Sequence, residues 1–132
     1  MKRTLLRMLL MFDAVILFLL GGAFMFVPGR MLILFGFHNT PPGIAYVVGV
    51  FGSVYATMGI GYVFAAQSPL RNVAWVQVGI ARGVAESLFS LVCVVQGWVS
   101  FAQAGFSIVV PALLGVGYAL LYPRPAPPAA EA

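Results

Sequence analysis

Val73 to Gln96 reads VAWVQVGIARGVAESLFSLVCVVQ, and the reading of this stretch decides the fold. It is long enough and apolar enough to cross a bilayer as a helix, which takes about 20 predominantly apolar residues. Yet near its middle it carries Arg82 and Glu86, four positions apart. Charge is costly inside hydrocarbon, so each ionisable group in such a segment requires a partner or a function.

The rest of the chain is built in the same way. Of its 132 residues, 62% are hydrophobic and 8% charged, where soluble domains run near half apolar and about a quarter charged. With no soluble block of any length, this composition gives one integral membrane domain, all-α, whose core is made by helices packing within lipid. A first helix is expected over about residues 5–27, after the basic start MKRTLLR. Its apolar run exceeds the about 7–15 residues of a signal-peptide core, and no A-x-A-like site follows, so it is read as uncleaved. Pro28-Gly29 ends it, and residues 30–37, RMLILFGF, are too short to span and are expected at the interface.

Further helices are expected over about residues 44–66, 73–96 and 100–122, the last with Pro111 at its centre. Neighbouring groups can satisfy the carbonyl that a proline frees in a membrane helix, and a kink is common there. Residues 123–132, PRPAPPAAEA, are rich in proline and alanine and have little to bury, so a disordered tail is expected.

Four spans place both termini on one side. Lys2, Arg3, Arg7, Arg71 and Arg124 then share that side, against Arg30 alone on the other. By the positive-inside rule the crowded side is cytoplasmic, giving an N-in/C-in multi-pass protein of the bacterial cytoplasmic (inner) membrane. Trp75 and Tyr122 fall near the inner border, Tyr46 and Trp98 near the outer one. Long helices argue against a β-barrel, whose strands would show alternation over about 10 residues. The net charge of +4 is read as topology, because no soluble basic patch interleaved with aromatics offers itself to nucleic acid. The expected partners are the lipid bilayer and either a second copy of the chain or other membrane subunits.

Two helices carry small residues at packing intervals. Ala45, Gly49, Gly52, Ala56 and Gly59 recur at spacings of four and three, and Gly79, Gly83 and Ser87 follow the small-xxx-small pattern. Lipid tails are as apolar as leucine, so close backbone approach is a main way such helices associate. Contact within one four-helix bundle is the simpler expectation, a dedicated homodimer face the other.

Depth arithmetic brings the charges together. At 1.5 Å per residue, Arg82 lies roughly 14 Å in from the cytoplasmic side, Glu86 roughly 20 Å, and Asp13 on the first helix roughly 12 Å. An Asp13–Arg82 pair between helices is therefore expected, while Glu86 neighbours Arg82 on its own helix. Two carboxylates compete for one guanidinium. The set sums to a net negative charge if all three ionise, so one carboxylate is expected to hold a proton at neutral pH. A carboxylate that trades a proton for a cation suits a coupled carrier; it equally suits a structural triad that fixes helix register.

The same face of the third long helix runs through Trp75, Gly79, Arg82, Glu86, Ser90, Cys93 and Gly97, a small and polar stripe that should face protein or water. Asp13, Arg82, Glu86 and Ser90 are thus the candidate ligand- or ion-binding residues. Gln77, Gln96 and Gln103 could line the mouths of a cavity, although glutamines at a membrane border are more often simply solvated. Cys93 is a lone cysteine and His38 a lone histidine, so neither an internal disulfide nor a multi-histidine metal site is expected within the chain. No phosphate loop, metal-ligand spacing or Ser-His-Asp set appears, so enzymatic activity is not expected and no cofactor is specified.

The basic start, the Pro-Gly break after the first helix, GVFGSVYATMGIGY over residues 49–62 and an arginine in the third long helix resemble the small four-helix bacterial membrane proteins of the DoxX-like kind. That resemblance implies an accessory part in a membrane redox system. Small multidrug carriers share the helix number and a carboxylate in the first helix, but MFDAVILF around Asp13 lacks their pattern. Small fluoride channels share only size and helix number. The leading expectation is a non-catalytic membrane protein acting by assembly, as a homo-oligomer or accessory subunit. The alternative is a proton- or cation-coupled carrier or channel using an intramembrane carboxylate, Glu86 first and Asp13 as the second candidate.

Overall fold

In a computed structural model the described residues, 1–123, form five helices. These are α1 (Lys2–Phe26), α2 (Pro28–Leu34), α3 (Pro42–Gln67), α4 (Val73–Val95) and α5 (Phe101–Leu120), with no strand among the described residues. All but α2 are long and apolar enough to cross a membrane, which makes the chain a multi-pass membrane protein by length and composition. The tail expected over residues 123–132 lies outside the described residues except for Pro123.

The helix ends follow local chemistry. Pro28 and Pro42 stand in the first turns of α2 and α3, where a missing N–H costs no bond and the fixed φ suits a helix start. The stretch expected at the interface over residues 30–37 thus belongs in part to a short helix that begins at the proline. That helix ends before Gly36, whose φ of +80° turns the chain back. Ser100 caps α5 with a reciprocal capping box: the Gln103 backbone donates to Ser100 Oγ, and the Ser100 backbone donates to Gln103 Oε1 at 2.8 Å. α5 continues through Pro111, and Ser87 Oγ of α4 donates to the nearby Ile108 carbonyl at 2.8 Å. A neighbouring helix thereby adds a bond beside the position where proline removes one.

Two helix pairs make up the bundle, α1 with α3 and α4 with α5, and small residues set how closely each pair approaches. In the first pair, Gly52 and Ala56 meet Gly21; a Cβ built on Gly52 would lie 2.6 Å from the Gly21 carbonyl oxygen. Gly59 abuts the Phe18 ring, whereas Gly49 is only loosely covered. In the second pair a Cβ on Gly83 would lie 2.5 Å from the Pro111 carbonyl, and Gly79 packs on the Tyr118 ring. Gly61, on another face of α3, accommodates the Trp75 indole and joins the two pairs.

The core occupies one half of the bundle, at the end holding the N-terminus and the α3–α4 turn. Leu6, Leu10, Ala14 and Leu17 of α1 pack there with Tyr62, Ala65 and Ala66 of α3, Val76 of α4, and Leu114 and Tyr118 of α5. Tyr62 stacks on Tyr118 with ring centroids 6.0 Å apart and meets Trp75 edge-on at 5.7 Å. Toward the α2 end the helices enclose a cavity instead.

Candidate functional site: a buried ion pair at the floor of a cavity

Asp13 is fully buried at the boundary between the closed half and the cavity. Arg82 Nη2 lies 2.7 Å from both of its carboxylate oxygens, and the Tyr118 hydroxyl donates to Oδ2 at 2.8 Å. Three helices thus meet at one carboxylate, α1 supplying it, α4 the guanidinium and α5 the hydroxyl. The Arg82 guanidinium also lies 5.3 Å from the centroid of the Tyr62 ring on α3, a cation–π contact that adds to the pairing in a desolvated setting. All four long helices are tied at this level.

Glu86 does not share this pairing. It stands a helical turn further along α4, among the cavity residues, and its Oε1 accepts from the Tyr55 hydroxyl of α3 at 3.2 Å. The competition expected between the two carboxylates is resolved by position: Asp13 takes the guanidinium and Glu86 takes a tyrosine. Tyr55 and Tyr62 are seven residues apart on α3, so they share a face and serve the two acid–base groups of α4 in turn.

The pair leaves donors over. The Arg82 side chain is 8% exposed, and its Nε and Nη1 find no acceptor among the described residues. The Tyr62 hydroxyl is likewise buried without an acceptor. Buried polar groups are nearly always hydrogen-bonded, and an unmet donor costs about 1–3 kcal/mol, more when charged. Arg82 lies on the wall of the cavity.

That cavity has a volume of about 390 Å³ and is bordered by Asp13, Arg82, Glu86 and Tyr55 at its floor. Ser90 and Cys93 of α4 continue its wall, so four members of the polar stripe read from the sequence face one space. The other members part company: Gly79 packs on Tyr118, Trp75 on Tyr62, and Gly97 ends α4 with φ +73°. Phe24, Phe35, Phe37, Phe51, Phe89 and Phe106 are among the side chains that line the rest of it. Phe51 and Phe89 are more than half exposed while lining the cavity, so the space reaches the outer surface between α3 and α4.

α2 and the segment after it cover the far end, with Met31, Leu32, Phe35 and Phe37 on the wall. Gln103, held by the capping box, donates from Nε2 to the Gly36 carbonyl at 3.0 Å and ties this cover to α5. Of the other glutamines, Gln77 donates to the Tyr122 hydroxyl at 2.8 Å and lies away from the cavity. His38 is exposed, and among the described residues no three His, Cys, Asp or Glu side chains converge to hold a metal ion.

The sequence reading missed Tyr118, Tyr55 and Tyr62. The seven-residue tyrosine spacing in α3 was the signal that could have found two of them; Tyr118 carries none, since its place depends on how α5 packs against α1. No protein-family model, curated protein or solved structure matches the chain.

Proposed function

We propose that this chain is a non-catalytic membrane protein that binds a lipid-soluble molecule in its intramembrane cavity, as a carrier or a ligand-responsive subunit. The observation that carries this is a polar set, the Asp13–Arg82 ion pair with the Glu86 carboxyl and Ser90, on the wall of a cavity of about 390 Å³ whose other lining is mostly apolar. Asp13, Tyr118 and Tyr62 hold Arg82 in place, while Glu86 and Ser90 meet the ligand.

In this reading all four long helices span the membrane, N-in and C-in, in a bacterial inner membrane. Support comes from Lys2, Arg3, Arg7 and Arg71, which cluster at one end of the bundle, with Arg30 at the other. The cavity mouth then opens toward the acyl chains of the outer leaflet.

Assembly is the second reading, favoured by the opening between α3 and α4. A helix of a second copy or of a larger complex seated there would also cover Phe51 and Phe89. The architectural likeness to DoxX-like proteins would make that complex a redox one.

Native mass spectrometry of protein extracted gently from its own membrane tests both. A retained small molecule on the wild-type chain, lost when Ser90→Trp fills the cavity, supports ligand binding. A bare homo-oligomer, or stable attachment to larger subunits with no small molecule, supports assembly and overturns the ligand reading.

A further inference from the structure

From the cavity's floor we infer that the ligand is a lipophilic ammonium ion, an apolar body ending in one positively charged nitrogen held by Glu86; this inference rests on the ligand-binding function proposed above. Three observations select that head group.

The first is which polar atoms a ligand in the cavity can reach. Arg82 Nε and Nη1 are sealed from it, and Nη2 is taken by Asp13, itself fully buried. Glu86 differs: Oε1 accepts from Tyr55, while Oε2 accepts no hydrogen bond among the described residues and is not sealed as the two arginine nitrogens are. The open polar atom at the floor is a carboxyl oxygen.

The second is the charge left over. One guanidinium stands against two carboxyls, and its close pairing with Asp13 leaves Glu86 as the unmatched member. An ionised carboxylate in a low-dielectric space requires a positive partner, so a proton or a cationic head has to meet it. An anionic head would add to the excess with no arginine donor in reach. A neutral head leaves the excess as it was.

The third is the aromatic set around that carboxyl, which favours a cationic head. Tyr55, whose hydroxyl holds Glu86, has its ring centroid 5.0 Å from that of Phe51 and 6.0 Å from that of Phe24. Phe89 follows Glu86 by three residues on α4 and lines the cavity with these rings. Aromatic faces attract a cation within about 6 Å of their centroids, the more so when it is desolvated. A neutral head gains no such attraction. The apolar body fills the rest of the cavity, entering from lipid between Phe51 and Phe89, both more than half exposed.

The test uses the full chain in nanodiscs of zwitterionic lipid and a long-chain trimethylammonium compound carrying a diazirine at mid-chain. Irradiation should label cavity residues, read by peptide mass spectrometry, against three unlabelled competitors of the same chain length: the trimethylammonium, its neutral tert-butyl isostere and a sulfonate. Compared at equal membrane concentration, the ammonium should compete about tenfold more strongly than the isostere, which keeps the shape without the charge, and than the sulfonate. Glu86→Gln should bring ammonium and isostere to within about twofold of each other while the isostere binds as before. If that variant fails to fold, the ammonium-to-isostere ratio on the wild-type chain carries the test.

Equal competition by the isostere, stronger competition by the sulfonate, or an undiminished preference in a folded Glu86→Gln variant would overturn the ammonium assignment and leave the ligand site standing. Labelling confined to outward-facing side chains such as Phe12 and Val84, with no competition, would overturn both.

Discussion

The two halves of the bundle use the same four long helices to opposite ends. In the half near the termini, Leu6, Leu10, Val76, Tyr62 and Tyr118 are buried to within 1% of complete, and glycines let rings and backbones press together. In the half near α2, α4 presents Glu86, Phe89 and Ser90 to an open space, and the two helix pairs are separated by about 390 Å³ of cavity. The difference lies in which small residues face inward. Gly79 and Gly83 bring α4 onto α5, and Gly61 admits Trp75, all toward the closed half. Beyond Gly83, α4 turns glutamate, serine and cysteine toward the cavity, and its tie to α3 is the Tyr55–Glu86 hydrogen bond rather than close backbone packing. The ion pair sits at the seam between the two halves.

Substitutions at the seam should have the largest effect. Asp13→Ala or Arg82→Ala strands a buried charge and should destabilise the fold by about 3–5 kcal/mol, measured by denaturant unfolding in mixed micelles. The double variant Asp13→Leu with Arg82→Met should recover most of that loss, since no charge is left unpaired. Tyr118→Phe removes one donor from the buried carboxylate and should cost about 1.5–3 kcal/mol. Gly83→Ala forces a Cβ against the Pro111 carbonyl in the closed half and should cost about 1–3 kcal/mol.

The open half should respond far less. Tyr55→Phe loses a 3.2 Å bond to a partly exposed carboxyl and should cost below about 1 kcal/mol by the same assay. Gly49→Ala, whose new Cβ meets only the Phe24 carbonyl at 3.7 Å, should fall within about 0.5 kcal/mol of wild type. Large losses from these two, comparable to Gly83→Ala, would erase the distinction between the halves.

Much of this was legible in the sequence, for identifiable reasons. Helix number and approximate bounds follow from the length of apolar runs between Pro-Gly breaks, and the Asp13–Arg82 pairing from counting depth along two helices that enter from one side. Gly52, Ala56 and Gly59 were visible as a packing seam, but their partner, α1 at Gly21, was not, because spacing marks a face without naming what covers it. Glu86 was grouped with Arg82 because the two share a helical face. Its bond to Tyr55 depends on how α3 and α4 lie against each other, which no single-helix pattern encodes. The cavity was the hardest to foresee, since an inward polar stripe looks alike whether it meets a helix or an open space.

The central claim is that one half of this bundle is closed and the other open to lipid-soluble molecules. A small apolar diazirine photoprobe, dissolved in the bilayer around the intact chain, tests it most directly. Inward residues of the open half, Cys93 and Ala104, should be labelled despite their burial, while Leu6, Leu10, Val76 and Tyr118 remain unlabelled. Equal protection of both sets, with label only on outward residues such as Phe12 and Val84, would contradict the account.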